Sequence, residues 1–340
     1  MIPIFVIYLL AFFIPLILTA LIMPFHIKLM LKKGVYGVDI HKKEQPKVAE
    51  RGGIVFLISI AITLFILYFL LSDKNDKISL LIFGLTLLIA GVVGIIDDFI
   101  TLNAIVKPLL LLLASLPIII SGFYIPYPML PFIGKTRLTI VYLILLPFAI
   151  SITANAVNML DVFNGSMAST VSIVLVTAAI ADTIIFGFNY NRIKITDVFI
   201  LITLGILIAF WVYNRYPAKV FAGDTGSLTI GAALGVIAIM GHLEVIMIIA
   251  MIPFIMNSFG IISSLKGLVE RHNMPAKATL MTENWELKAN PNEKAPITLT
   301  GLILQEGPLK EVDVVRSFNI LTIVSAILAI TTAVLIKIYL

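Results

Sequence analysis

The chain has 340 residues, of which 60% are hydrophobic and 13% charged, with a formal net charge of +5 and no cysteine. Soluble domains run near 45–50% apolar and about 25% charged, so a mean hydropathy of +1.09 excludes an ordinary water-soluble globule and a disordered chain. The lack of cysteine excludes disulfides, a thiol nucleophile and thiolate metal centres, and in so apolar a chain the positive charge reads as loop bias, not as nucleic-acid binding.

Ten apolar runs follow one another at 3–30, 53–71, 79–96, 105–121, 138–156, 166–186, 197–213, 227–241, 245–265 and 318–339. Each is near the ~17–25 residues that cross the hydrocarbon as a helix, the run at 227–241 being short. The first run has no leading Lys or Arg and no small-residue cleavage site before Lys28, Lys32 and Lys33, so it is expected to remain as a span. Ten crossings put the N- and C-termini on one side. One set of loops carries 17 Lys and Arg residues and the other 7. The richer side is expected to be cytoplasmic and both termini outside. The polar stretch 266–317 falls on the cytoplasmic side, before the last run. Its alternation of Ile297 and Leu299 with Thr298 and Thr300 predicts a short strand or hairpin. The expected fold is therefore an all-α polytopic membrane protein of about ten transmembrane helices, one domain over 1–340 with a small cytoplasmic insert at 266–317.

Polar residues cluster at span ends on one face. Gly94-Ile-Ile-Asp97-Asp98 ends the third run, Asn155-Ala-Val-Asn158-Met-Leu-Asp161-Val-Phe-Asn164-Gly165 joins the fifth to the sixth, and Ala222-Gly-Asp224-Thr-Gly-Ser227 opens the eighth. Taken singly, each has a structural reading: a helix cap, a snorkelling anchor at Lys107, or interhelical glue at Asn155 and Asn158. Carboxylates at the edge of hydrocarbon are costly unless paired or metal-bound. Four of them at one level, with three asparagines, point to a shared polar site. Oxygen ligands without cysteine suit a hard cation such as Mg²⁺, with Mn²⁺ as its alternative, held together with substrate phosphates. Lys107, Arg271 and His272 lie on the same face, as phosphate partners do. The start of the Asp224 helix offers free backbone N–H groups to an anion. The inferred chemistry is metal-assisted phosphoryl transfer at the membrane surface.

These residues carry a resemblance. Asp97-Asp98 with Lys107, Asn155-Ala-Val-Asn158 leading to Asn164-Gly165, Asn214-Arg-Tyr-Pro-Ala-Lys-Val-Phe-Ala-Gly-Asp224-Thr, and Arg271-His272-Asn273-Met-Pro275 resemble the polyprenyl-phosphate N-acetylhexosamine-1-phosphate transferases, from about Gly37 to Asn319. The Tyr-Pro-x-x-Val-Phe-x-Gly-Asp-Thr string, Gly241-His242 and Val48-Ala-Glu50-Arg-Gly-Gly are similar to the dolichyl-phosphate GlcNAc-1-phosphate transferase branch, of archaeal or eukaryotic type. The resemblance implies ten helices, a cytoplasmic active site, and Mg²⁺-dependent transfer of a sugar-1-phosphate from a UDP-sugar to a polyprenyl phosphate with release of UMP. It implies that Asn158 and Asp224 ligate the metal and that Lys107 and Arg271 clamp phosphates. Glu50, Asn164 and Phe221 would contact the nucleotide, and His272 and Asn273 the pyrophosphate and sugar. Asn155 joins the substrate-binding set, and Asp97 or Asp98 would orient the lipid phosphate or take its last proton. The chain departs from the bacterial branch in having only His272 where that branch has a His-rich loop, and from the dolichol branch in having Asn273 where a second basic residue is usual.

The function expected is transfer of GlcNAc-1-phosphate from UDP-GlcNAc to dolichyl or another polyprenyl phosphate, the first step of lipid-linked oligosaccharide synthesis for N-glycosylation. Direct attack by the acceptor phosphate is favoured over an Asp nucleophile, because the acceptor is already anionic. The rivals are the same reaction with another UDP-HexNAc for a wall or surface polymer, and a lipid or ion transporter. Transporters place ionisable groups near the midplane of repeated halves, and neither feature is visible in the sequence. The expected partners are the UDP-sugar, the polyprenyl phosphate and the bilayer, without nucleic acid; a homodimer is the oligomer left open.

Overall fold

In lipid every backbone polar group must be satisfied within the segment, so long apolar runs fold as helices. The computed structural model describes residues 3–188, 193–269 and 273–340. In chain order the helices are α1 (Ile4–Lys32), α2 (Gly53–Leu70), α3 (Lys74–Ile100), α4 (Val106–Leu112), α5 (Leu116–Ser121), α6 (Thr139–Leu160), α7 (Ser166–Phe186), α8 (Ile195–Asn214), α9 (Gly223–Met240), α10 (Glu244–Ala250), α11 (Ile252–Ser264), α12 (Leu299–Ile303) and α13 (Glu311–Ile338). All ten apolar runs fall on these helices. Among the described residues eight helices are long and apolar enough to cross a membrane unbroken; α10 and α11 form one pair bent by 68°, and Val106–Ser121 is a shorter apolar run. The bend falls where Pro253 opens α11 and removes a backbone donor.

α9 is the centre of the bundle, with 83% of its apolar stretch buried against 22% for α1. It packs on α3, α6 and α2, while α7 pairs with α13 and α1 with α8. Two glycines set the closest approaches. A Cβ on Gly53 would lie 2.0 Å from the Gly226 backbone nitrogen, and one on Gly94 would lie 2.5 Å from Thr225 Cα. The starts of α2 and α9 and the end of α3 therefore meet backbone to backbone.

Among the described residues three hairpins join the helices. β1 (Tyr36–Val38) pairs antiparallel with β2 (Lys47–Ala49), with Tyr36 opposite Ala49. β3 (Met129–Leu130) pairs with β4 (Gly134–Lys135), and β5 (Thr279–Met281) with β6 (Leu287–Ala289), with Thr279 opposite Ala289. The insert thus contains a hairpin, but not at the alternating residues. Leu299–Ile303 is α12, and Thr298 caps it by accepting a hydrogen bond from Gly301 N at 2.9 Å. A threonine that can close a helix N-terminus outweighs a four-residue alternation.

Helix ends also shift relative to the apolar runs. α3 continues through Ile100 and α6 through Leu160, so Asp97, Asp98, Asn155 and Asn158 are on helices. Asp224 lies in the first turn of α9.

Candidate active site

The site is assembled where α3 ends, α4 begins, α6 ends and α9 begins. Asp98 seals the start of α9. Its Oδ1 accepts from Asp224 N at 2.8 Å, and its Oδ2 accepts from Thr225 N at 3.1 Å and Thr225 Oγ1 at 2.5 Å. A carboxylate against free N–H groups at the positive end of a helix is a strong cap, here supplied by another helix. Gly223 makes room for it: its φ is +71°, and a Cβ would lie 2.9 Å from both Asp98 oxygens.

Asp97 turns the other way. Its Oδ1 accepts from Leu102 N at 2.5 Å, and its Oδ2 forms an ion pair with Lys107. Lys107 Nζ also donates to Asp224 Oδ1 at 2.9 Å. Asn158 Nδ2 donates to the same oxygen at 2.5 Å and to Ser227 Oγ at 2.8 Å. Among the described residues Asp224 Oδ2 accepts no hydrogen bond. The Asp224 side chain is 30% exposed, against 4% for Asp97. Asp224 is the carboxylate that faces outward from the cluster.

The chain before α2 forms one wall. Phe221 N donates to Ala49 O at 2.8 Å, and Gly52 N donates to Phe221 O at 2.9 Å, so the segments entering α2 and α9 run side by side. Glu50 and Phe221 flank Gly37, where a Cβ would lie 2.7 Å from Glu50 Oε1 and 3.3 Å from the Phe221 ring. Burial pushes the Glu50 carboxyl up, and the negative charges of Asp98 and Asp224 push it further against the opposing charge of Arg51. Arg51, which sequence reasoning passed over, donates from its guanidinium to Asp98 O at 2.8 Å and stacks 3.9 Å over the Phe99 ring. Its signal was its place beside Glu50 in the Glu-Arg-Gly-Gly string.

Asp161 lies at the α6–α7 corner, half-buried. Burial pushes its carboxyl up to about 7, with the Asp224 charge adding to that effect and hydrogen bonds from Ser166 and Met167 opposing it. Two of the predicted residues are engaged elsewhere. Asn155 Nδ2 bonds back to Ser151 O at 2.8 Å within α6, and forms no hydrogen bond to the Asp224 group among the described residues. Asn164 is buried in a separate brace, where its N–H donates to Glu311 Oε1 at 2.8 Å and its Nδ2 to Asp39 Oδ2 at 2.9 Å. Lys42 pairs with Asp39 and lies 3.8 Å from Glu311 Oε2. Asp39, Lys42 and Glu311 gave no sequence signal because they come from opposite ends of the chain. Asn273 is exposed. Arg271 and His272 lie outside the described residues.

Comparison with known proteins bears on the same residues. Residues 80–242, which include Asp97, Asp98, Lys107, Asn158 and Asp224, match the sequence profile described as glycosyl transferase family 4. A glycosyltransferase, provisionally so named, of Methanocaldococcus jannaschii is 32% identical over 313 residues, covering 89% of this chain and 90% of the relative. The chain belongs to glycosyl transferase family 4. Within the family, a Saccharolobus solfataricus protein provisionally named UDP-N-acetylglucosamine–dolichyl-phosphate N-acetylglucosaminephosphotransferase is 29% identical over 96% of this chain and 97% of the relative. The phospho-N-acetylmuramoyl-pentapeptide-transferase of Clostridium novyi is 33% identical over 71% of this chain and 75% of the relative.

Proposed function

We propose that this integral membrane protein transfers N-acetylglucosamine-1-phosphate from UDP-GlcNAc to dolichyl or another polyprenyl phosphate and releases UMP, with its site at the cytoplasmic face. The carrying observation is that Lys107 and Asn158, which lie 117 and 66 residues from Asp224 in sequence, converge on one oxygen of that carboxylate. Membership of the family and the relatives' names support the polyprenyl-phosphate sugar-phosphate transferase class. The bias of basic residues among loops supports the cytoplasmic placement.

The donor set fits Mg²⁺. Asp224 offers a partly exposed carboxylate with one oxygen unengaged, and a flip of the Asn158 carboxamide turns a neutral oxygen toward it. Two hard oxygen ligands with coordination space left for phosphates are what Mg²⁺ takes. When bound, Mg²⁺ supplies charge neutralisation on the donor pyrophosphate.

The protein's own groups divide the rest of the work. Lys107 is held by two carboxylates, so its ammonium is fixed where a phosphate oxygen would displace one of them. Asp98 has both oxygens engaged by α9, and Asp97 is held by Leu102 N and Lys107. Neither is presented as a free nucleophile, which favours direct attack by the acceptor phosphate on the phosphorus joined to the sugar. The new P–O bond forms as the bond to UMP breaks, and UMP leaves as an anion that needs no proton at neutral pH. Asp98 then serves as a positioning residue that orients the first turn of α9, and with it Asp224. Glu50 and Phe221 form a wall suited to the nucleotide, and Arg271 and His272 are assigned to the phosphates and sugar.

The test is UMP release by purified protein given a short-chain polyprenyl phosphate, Mg²⁺ and UDP-GlcNAc, with UDP-GalNAc and UDP-MurNAc-pentapeptide in parallel. Release that depends on the acceptor and is highest with UDP-GlcNAc is expected. Release highest with another donor would replace the sugar assignment, and no acceptor-dependent release with any donor would overturn the reaction class.

A further inference from the structure

Away from Asp224, a cleft of about 560 Å³ opens on the flank of the bundle between α8 and α13, floored by α7. Small residues make the floor low: Gly165, Ala168 and Ser172. Ile208 and Trp211 line one wall and are each 40% exposed, so the cleft faces the lipid side and not the interior. Its mouth lies at the same bundle end as the candidate active site. There Gly165 N donates to Asn214 Oδ1 at 3.0 Å, and Asn214 Nδ2 donates to Val220 O at 2.9 Å, just before α9.

The mouth is cationic. Arg215 follows the last residue of α8 and stacks 5.0 Å over the Trp211 ring. Among the described residues Arg316, in the second turn of α13, pairs only with Asp313, at 2.8 Å, and its side chain is 71% exposed. Asn319, one turn further along α13, also lines the cleft. Its Oδ1 is buried with no hydrogen-bond partner among the described residues. A buried polar atom left unsatisfied marks a place where a ligand or water belongs. An exposed surface ion pair such as Arg316–Asp313 holds its members weakly, so the guanidinium is available to a better anion.

The cleft therefore combines an apolar, laterally open slot with two guanidinium groups beside an aromatic residue at the membrane-surface end. Guanidinium groups are matched to phosphate oxygens, and tryptophan and arginine concentrate at headgroup depth. We propose that this cleft binds an anionic membrane phospholipid, with the phosphate between Arg215 and Arg316 and the first segment of an acyl or alkyl chain along α7. The cleft shares none of the Asp97, Lys107, Asn158 and Asp224 side chains, and lipid binding there does not depend on the reaction assigned to them.

The chain has two tryptophans, so Trp285→Phe leaves Trp211 as a reporter inside the cleft. The full-length protein in lipid nanodiscs is titrated with brominated-chain phosphatidylglycerol or brominated-chain phosphatidylcholine, and Trp211 quenching is read. Half-maximal quenching by phosphatidylglycerol is expected at about fivefold lower mole fraction, which is about 1 kcal/mol of preference. Arg215→Gln with Arg316→Gln should bring the two curves together. Ser172→Leu, which fills the floor without changing charge, should weaken quenching by phosphatidylglycerol, and it keeps the test open if the double variant does not fold. Coincident curves in the parent protein, an unchanged preference in the double arginine variant, or unchanged phosphatidylglycerol quenching in Ser172→Leu would overturn the proposal. So would displacement of brominated phosphatidylglycerol by about 10 mM inorganic phosphate, since that marks a site for a free anion.

Discussion

Asp224 and Asp39 lie at the same end of the bundle, each beside a lysine and an asparagine. Asp224 meets Lys107 and Asn158; Asp39 meets Lys42 and Asn164. The Asp39 side chain is 3% exposed, and both its oxygens are used, one by His41 N at 3.3 Å and the other by Lys42 and Asn164. The Asp224 side chain is 30% exposed and keeps one oxygen unengaged. The same residue types thus make a closed brace in one place and an open site in the other. Asp39 and Glu311, with His41, are close enough to hold a metal ion, yet the Lys42 ammonium already supplies a positive charge there. What separates a brace from a site is unused coordination facing solvent, not composition.

That contrast gives a series of expected outcomes. Asp224→Ala should reduce UMP release by about 10³-fold or more, the scale of removing a group that stabilises the transferring phosphate. Normal release by this variant would remove Asp224 from the working site. Lys107→Met should reduce turnover by about 10²-fold. It should also lower the melting temperature, because Asp97 is then left buried without its ion-pair partner; a change in melting temperature alone would make Lys107 a second brace.

Asp98→Asn keeps one acceptor for the α9 cap and loses the charge, so a loss of about tenfold in turnover is expected, with divalent-ion affinity weakened through the misplaced first turn of α9. An activity loss with an unchanged ion titration would give Asp98 a direct role in place of a positioning one. Asp39→Ala should cost about 3 kcal/mol of stability, since it takes the nearer ion-pair partner from Lys42 and an acceptor from Asn164 Nδ2. Release per folded molecule should stay within about twofold. Burial raises the Asp39 carboxyl, but the hydrogen bonds from Lys42 and Asn164 more than offset this and hold it below the usual range. Its stabilising contribution is therefore present above the unfolded pKa of about 3.9 and is lost as pH falls through the lower folded value. Melting scans of the parent should show this acid loss, and Asp39→Asn should flatten it.

The open site was more legible in the sequence than the brace. Asp97, Asp98, Asn158 and Asp224 were visible because carboxylates and asparagines at the ends of apolar runs conflict with their surroundings. Lys107 was visible as a cation at the same level. The brace was hidden because Asp39 and Lys42 sit in an ordinary charged loop, and Glu311 opens the last helix 272 residues later (from 39 to 311). Asn164 was placed with the nucleotide by resemblance, and only the tertiary structure brings it to Asp39 and Glu311. Of the fold, the helices followed directly from the apolar runs. The hairpins did not, since strands of two or three residues carry too little pattern, and the alternation at 297–300 belonged to a capped helix start.

The most direct measurement is divalent-ion binding itself. Mn²⁺ serves as a paramagnetic stand-in for Mg²⁺ and is titrated into the purified protein with UDP present, with electron paramagnetic resonance reading the free ion. The Asp224 site predicts saturable binding in the parent, retained in Asp39→Ala and reduced at least about tenfold in Asp224→Ala. Binding that survives Asp224→Ala and disappears in Asp39→Ala would place the ion in the brace and contradict the account.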